Sequence, residues 1–148
     1  MNLFKGMVLG FIAGAIATLT VHEIISYIFT IPNIWTGWGR PSWDMSPNVA
    51  GVPNILSGAF WGGLWGALFP VVFGALPRGP LTFKGMLFGI IGPAIIGVFI
   101  AIPLLTQRIP LFFDGDISKI VPVLVILAGF GAALGWLYGL FAYKRLPC

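Results

Sequence analysis

Charge is what this sequence has least of. Lys and Arg number 8 and Asp and Glu only 4, so charged residues make up 8% of the chain; a soluble domain carries about 25%. So little polar material cannot cover a water-facing surface, and an ordinary soluble fold is excluded. His22 and Cys148 are the single residues of their kinds. One of each cannot assemble a usual zinc site, and bis-histidine haem ligation within the chain is impossible. A lone cysteine forms no intramolecular disulfide and fixes no compartment. Cys148 completes no prenylation box either, because that requires three residues beyond the cysteine.

Catalytic signatures are missing as well. There is no Gly-x-Ser-x-Gly elbow and no phosphate loop. Gly129-Phe130-Gly131 opens like a dinucleotide fingerprint but sits in an apolar run with no strand before it. Asp114-Gly115-Asp116 resembles a fragment of a calcium loop without the remaining alternating ligands, and reads as a turn. The net charge of +4 is scattered between apolar runs and forms no basic stripe, which speaks against nucleic acid. The expectation is a protein that is not an enzyme and carries no metal or obligatory cofactor.

What is abundant is apolar. Hydrophobic residues reach 58% and mean hydropathy is +1.00. A membrane-spanning helix needs about 20 mostly apolar residues. Between Asp44 and Arg78 lie 33 uncharged residues, between Lys84 and Arg108 there are 23, and between Lys119 and Lys144 there are 24. These gaps predict helices over 6–29, 53–76, 85–105 and 120–143. The first is interrupted by His22 and Glu23. A signal peptide competes for it, with Lys5 as basic flank and Ala15-Ile16-Ala17 as cleavage site, but the apolar pattern continues past that point. Residues 1–148 therefore read as one all-α integral membrane four-helix bundle.

Four spans place both termini on one side. Lys5, Arg78, Lys84, Lys144 and Arg145 fall there with no acid among them. Arg40, Arg108 and Lys119 fall opposite, alongside Asp44, Asp114 and Asp116. The excess favours cytoplasmic termini and a bacterial inner-membrane, multi-pass placement.

Glycines recur every fourth residue in each span. Gly6/Gly10/Gly14, Gly58/Gly62/Gly66, Gly85/Gly89/Gly97 (with Pro93 on the skipped rung) and Gly131/Gly135/Gly139 form the four ladders. In water a mid-helix glycine costs about 0.5–1 kcal/mol. In lipid, the missing side chain lets helix backbones approach closely, and van der Waals contact there replaces the hydrophobic force that acyl chains cannot supply. The ladders are expected to mark the seams where spans touch. Prolines punctuate the same spans at 53, 70, 93, 103 and 122, and Pro93 beside Gly92 is expected to kink the third helix.

Lys5-Gly6-Met7 with Gly10 and Ile12 echoes Lys84-Gly85-Met86 with Gly89 and Ile91. Val52-Pro53 likewise echoes Val121-Pro122. Two parallel helical hairpins, or convergence on glycine-rich apolar sequence, both account for the echo.

Three features are candidates for function. Trp35, Trp38 and Trp43 crowd the first connecting loop, either as interfacial anchors with their N–H in water or as part of a lid over the bundle. His22 continues the first ladder about 24 Å above Gly6, with Glu23 turned about 100 degrees away. The pair could anchor the structure, or handle a proton or ligand. Trp61 and Trp65 form a stripe beside the glycines of the second span. They offer a face to lipid, an apolar cofactor such as a quinone, or a neighbouring protein.

Trp43-Asp44-Met45-Ser46-Pro47, Gly51-Val52-Pro53 and the run Ser57-Gly58-Ala59-Phe60-Trp61-Gly62-Gly63-Leu64-Trp65-Gly66 carry a resemblance. So do Thr20-Val21-His22, Gly92-Pro93, Phe99 and Pro103-Leu104. Together they resemble a family of small, uncharacterised bacterial membrane proteins with four predicted spans. The resemblance implies the topology and no activity. It leads one to expect glutamine after the histidine, where this chain has Glu23.

The leading expectation is a structural or accessory membrane protein that packs through glycine and aromatic faces with itself or a larger complex. A small proton-sensitive transporter or channel using Glu23 and His22 is the alternative, and a lipid or quinone binder a third.

Overall fold

The computed structural model describes residues 1–143, so Lys144, Arg145 and Cys148 lie outside the described residues. It is an all-α four-helix bundle, and all four helices are long and apolar enough to cross a membrane. The helices are α1 (Leu3–Thr30), α2 (Asn54–Phe73), α3 (Leu81–Thr106) and α4 (Ile117–Tyr143). The chain is therefore built as a multi-pass membrane protein.

Local chemistry sets the ends of these helices. Asn2 caps α1, its side-chain oxygen accepting the Lys5 N–H at 2.9 Å. Gly74, at φ +87°, stops α2 three residues short of the expected boundary, in a conformation only glycine adopts freely. Pro53 precedes α2 as its N-cap rather than lying within it. Gln107 closes α3 in a left-handed conformation.

Several rungs of the glycine ladders lie where two helix backbones meet. Gly10 and Gly14 of α1 lie against Gly66 and Gly62 of α2, backbone to backbone. A Cβ added at Gly66 would run into the Gly10 carbonyl oxygen and stand 2.9 Å from Gly14 Cα. In the second hairpin Gly85 and Gly89 of α3 meet Gly131 and the Leu127 carbonyl of α4, and Gly135 meets the Leu81 carbonyl. Both hairpins are antiparallel. Gly139 is buried in α4, and Gly58, at the rim of its seam, is only half-buried.

The sequence echo does not carry over in register. Gly6 lies beside Pro70, whereas its counterpart Gly85 lies beside Gly131. What repeats is a hairpin closed by a glycine seam. Large side chains fill the space between the hairpins. Phe69 packs edge-on against Phe88 at 5.7 Å and Tyr138 at 5.4 Å, with Phe130 and Leu134 buried in the same cluster. Outward-facing positions carry bulky apolar residues such as Ile12, Leu56, Phe60, Leu68, Ile91 and Val125, as lipid requires.

Two helices leave α geometry. Residues Thr18–His22 of α1 and Ile90–Ala101 of α3 are π-helical, closing i→i+5 rather than i→i+4. In α3 the stretch contains Pro93, which has no N–H to donate to a regular ladder. The expected proline kink is thus expressed as a wider turn. Its consequence is local. Residues five apart now share a face, so Gly92 and Gly97 line up, and the ring of Trp65 lies across both. Trp65 therefore points into the bundle, contrary to an outward stripe shared with Trp61. Trp61 remains 60% exposed.

Candidate functional site

The π-turn in α1 decides which polar residue is buried. On an unbroken α-helix the stripe Gly10, Gly14, Thr18 would continue to His22. The turn inserts one residue, so the stripe passes instead to Glu23 and Ser26. Glu23 is 1% exposed and Ser26 wholly buried, while His22 lies at the edge of the stripe with a side chain 15% exposed. The expectation that His22 continues the first ladder is corrected on this ground: Glu23 takes that place.

A carboxylate taken out of water is costly unless it is paired and hydrogen-bonded. Glu23 has three donors. His22 Nδ1 lies 2.9 Å from Oε1, and the Arg40 guanidinium donates to the same oxygen at 3.3 Å. The backbone N–H of Trp43 donates to Oε2 at 2.8 Å. Two of the three donors come from the loop between α1 and α2, folded back over the end of α1. Trp43 adopts a left-handed φ of +48° there. For a residue with a large side chain this costs about 1–2 kcal/mol, offset by the bond its N–H makes.

The indole groups hold the same loop. Trp43 Nε1 donates to the Leu19 carbonyl at 3.0 Å. The Glu23 N–H bonds Thr18 and Thr20 carbonyls and passes over that of Leu19, its partner in a regular α-turn. Trp38 Nε1 donates to Ser26 Oγ at 3.2 Å, and Trp35 Nε1 to the Ser118 carbonyl of α4 at 2.8 Å. Of the two alternatives for these tryptophans, anchors with N–H in water or a lid over the bundle, the bonding is that of a covering loop: all three indole N–H groups donate to protein. A shallow cavity of about 270 Å³ opens beside the last of these, lined by Asn33, Ile34, Trp35, Thr36 and Ser118.

The rest of the loop is a cap for α2. The Asp44 carbonyl accepts Ile55 N–H at 2.9 Å and the Ser46 carbonyl accepts Asn54 N–H at 2.9 Å. Asp44 Oδ1 takes the Ser46 hydroxyl and N–H, and Oδ2 the Asn54 amide at 2.9 Å. These bonds, the Ser46 hydroxyl first, hold the Asp44 carboxyl below the usual carboxylate range. The Trp43-Asp44-Met45-Ser46-Pro47 motif thus reads physically as a helix-entry device.

Arg40, Ser26 and the Leu19 carbonyl were not among the residues singled out from sequence. The available signal was charge. Arg40 is the only basic residue between the first two spans, and Glu23 the only acid within the first. Among the described residues, no cluster of three or more His, Cys, Asp or Glu could hold a metal ion. Trp61 stands apart from the Glu23 group, on the outer face of α2 with Phe60 and Phe11 in edge-to-face contact at 6.0 Å.

No known family, curated protein or solved structure matches the chain.

Proposed function

We propose that this protein is an accessory or structural subunit of the bacterial inner membrane, with both termini in the cytoplasm. It associates through its aromatic outer face with copies of itself or with a larger membrane complex. The observation that carries the reading is the division of labour between its faces. The glycines are consumed inside the two hairpins, and the buried polar groups Thr18, Glu23 and Ser26 each have internal partners. Phe60 and Trp61 stay exposed as an edge-to-face pair on α2. A rigid indole on a lipid-facing helix is a strong packing anchor, and truncating one at the centre of an interface costs about 2 kcal/mol or more. Lys5, Arg78 and Lys84, together at one end, support the cytoplasmic orientation. The resemblance to small four-span bacterial proteins supports the same placement.

Mass measurement after extraction in mild detergent tests this. The wild type is expected to run as an oligomer or with a partner, and Trp61→Ala to run alone with its helix content unchanged. A wild type that always migrates as a monomer overturns the reading.

One observation favours a second reading, a small transporter or channel: a carboxylate stands buried in the first span beside a histidine. Proteoliposomes carrying Glu23→Gln would then lose proton-driven flux. Flux equal to wild type removes Glu23 from any such role.

A further inference from the structure

We infer that residues 31–43 form a strap whose closed position is set by the charge on Glu23, and that loss of this charge frees the strap and opens the carboxyl site to solvent. Among the described residues, no backbone–backbone hydrogen bond outside the helices involves residues 35–43. The hydrogen bonds that fasten this stretch run to its side chains and to one N–H, beside the packing of Trp35 on Phe29, Trp43 on Tyr27 and Trp38 on the core. Arg40 and the Trp43 N–H hold Glu23, Trp43 and Trp38 indoles hold Leu19 and Ser26, and Trp35 holds Ser118. Segments without a backbone ladder sit at the low end of local stability and open first.

Glu23 accepts two of these five bonds, and both come from the end of the strap that leads into the α2 cap. It binds the strap at two atoms, and the Trp43 N–H bonded to it fixes where that residue's indole lands. The groups that face the carboxylate are His22 from its own helix and Arg40 from the strap. Residues beyond the strap are fastened differently, because 44–55 are laced to the start of α2 by backbone bonds. The boundary between strap and cap therefore falls at Trp43. Arg40 is 42% exposed while its partner is 1% exposed, so the guanidinium closes the site from the solvent side. Arg40 acts here as a positioning residue.

Ser42 supplies the reporter. Its Oγ is buried and has no hydrogen-bond partner, so a thiol there breaks no bond and is shielded while the strap is closed. In a Cys148→Ser background, Ser42→Cys is exposed to a membrane-impermeant maleimide in sealed vesicles. Val49→Cys, fully exposed in the cap, normalises the rate. Adding Glu23→Gln or Arg40→Gln is expected to accelerate labelling of Ser42→Cys about tenfold, as the open fraction rises. The two together should label no faster than the faster single variant, because they remove the same bond. Unchanged rates in both singles overturn the inference, and so does a fully additive double. Ala13→Cys, buried in the bundle, labels only if the fold is lost; should it label with Glu23→Gln, Arg40→Gln carries the test. Because strap opening is read without any partner present, its failure leaves the association through Trp61 untouched.

Discussion

Gly66→Ala should lower the thermal midpoint of the purified protein by roughly 10 °C, and Gly66→Leu should prevent the first hairpin from closing. The alanine methyl would run into the Gly10 carbonyl oxygen and approach Gly14 Cα to 2.9 Å. Neither is the far end of a flexible side chain, so the helices must separate. Overpacking of this kind costs about 3 kcal/mol, and separation also weakens the contacts of every other rung. Gly131→Ala should behave alike in the second hairpin, where the obstacle is the Gly85 carbonyl. Gly58→Ala provides the contrast. Its methyl would lie 3.8 Å from Thr18 Cγ2, an ordinary contact, and alanine gains about 0.5–1 kcal/mol of helix propensity. Thermal melts of the three variants in one detergent decide the matter. Equal midpoints for Gly58→Ala and Gly66→Ala would mean the ladders are not seams.

That contrast shows which part of the structure could be read from sequence. The last three spans followed from gaps between charges, since a charge in the bilayer core is costly unless it is paired. The seams followed from glycine, since only a missing side chain permits the backbone approach found at Gly10 and Gly66. Both are statements about composition along one helix. Placing His22 failed for a different reason. Counting in fours assumes an unbroken α-helix, and the π-turn at Thr18–His22 shifts everything after it by one residue. Nothing in Thr18-Leu19-Thr20-Val21-His22 announces the turn, because tertiary contacts such as the Trp43 indole on the Leu19 carbonyl help stabilise it. Arg40 escaped notice because it reaches Glu23 through an irregular loop, where no periodicity links the two. The tryptophans of that loop were expected either to anchor in water or to cover the bundle. Their N–H acceptors lie on α1 and α4, and only the folded chain brings those within reach.

Trp65 offers the sharpest test of the second π-helical stretch. In an α-helix Gly92 and Gly97 would point about 140 degrees apart, and no single ring could cover both. Over the wider turns a Cβ added at either glycine would stand 3.2 Å from the Trp65 ring. Trp65→Ala is expected to destabilise the bundle by about 2 kcal/mol, less than for a fully buried tryptophan because the ring is half-buried. Gly97→Ala should cost about 1 kcal/mol by crowding that ring. Once the ring is gone the same substitution meets nothing, and the alanine should be neutral or mildly stabilising through its helix propensity. A double-mutant cycle on thermal or denaturant unfolding therefore predicts a coupling of about 1 kcal/mol or more between residues 65 and 97. The same cycle between residues 65 and 92 should give a coupling of the same sign, since one ring spans both positions. Coupling at only one of the two glycines would place them on different faces, and α3 would have to be regular through Pro93.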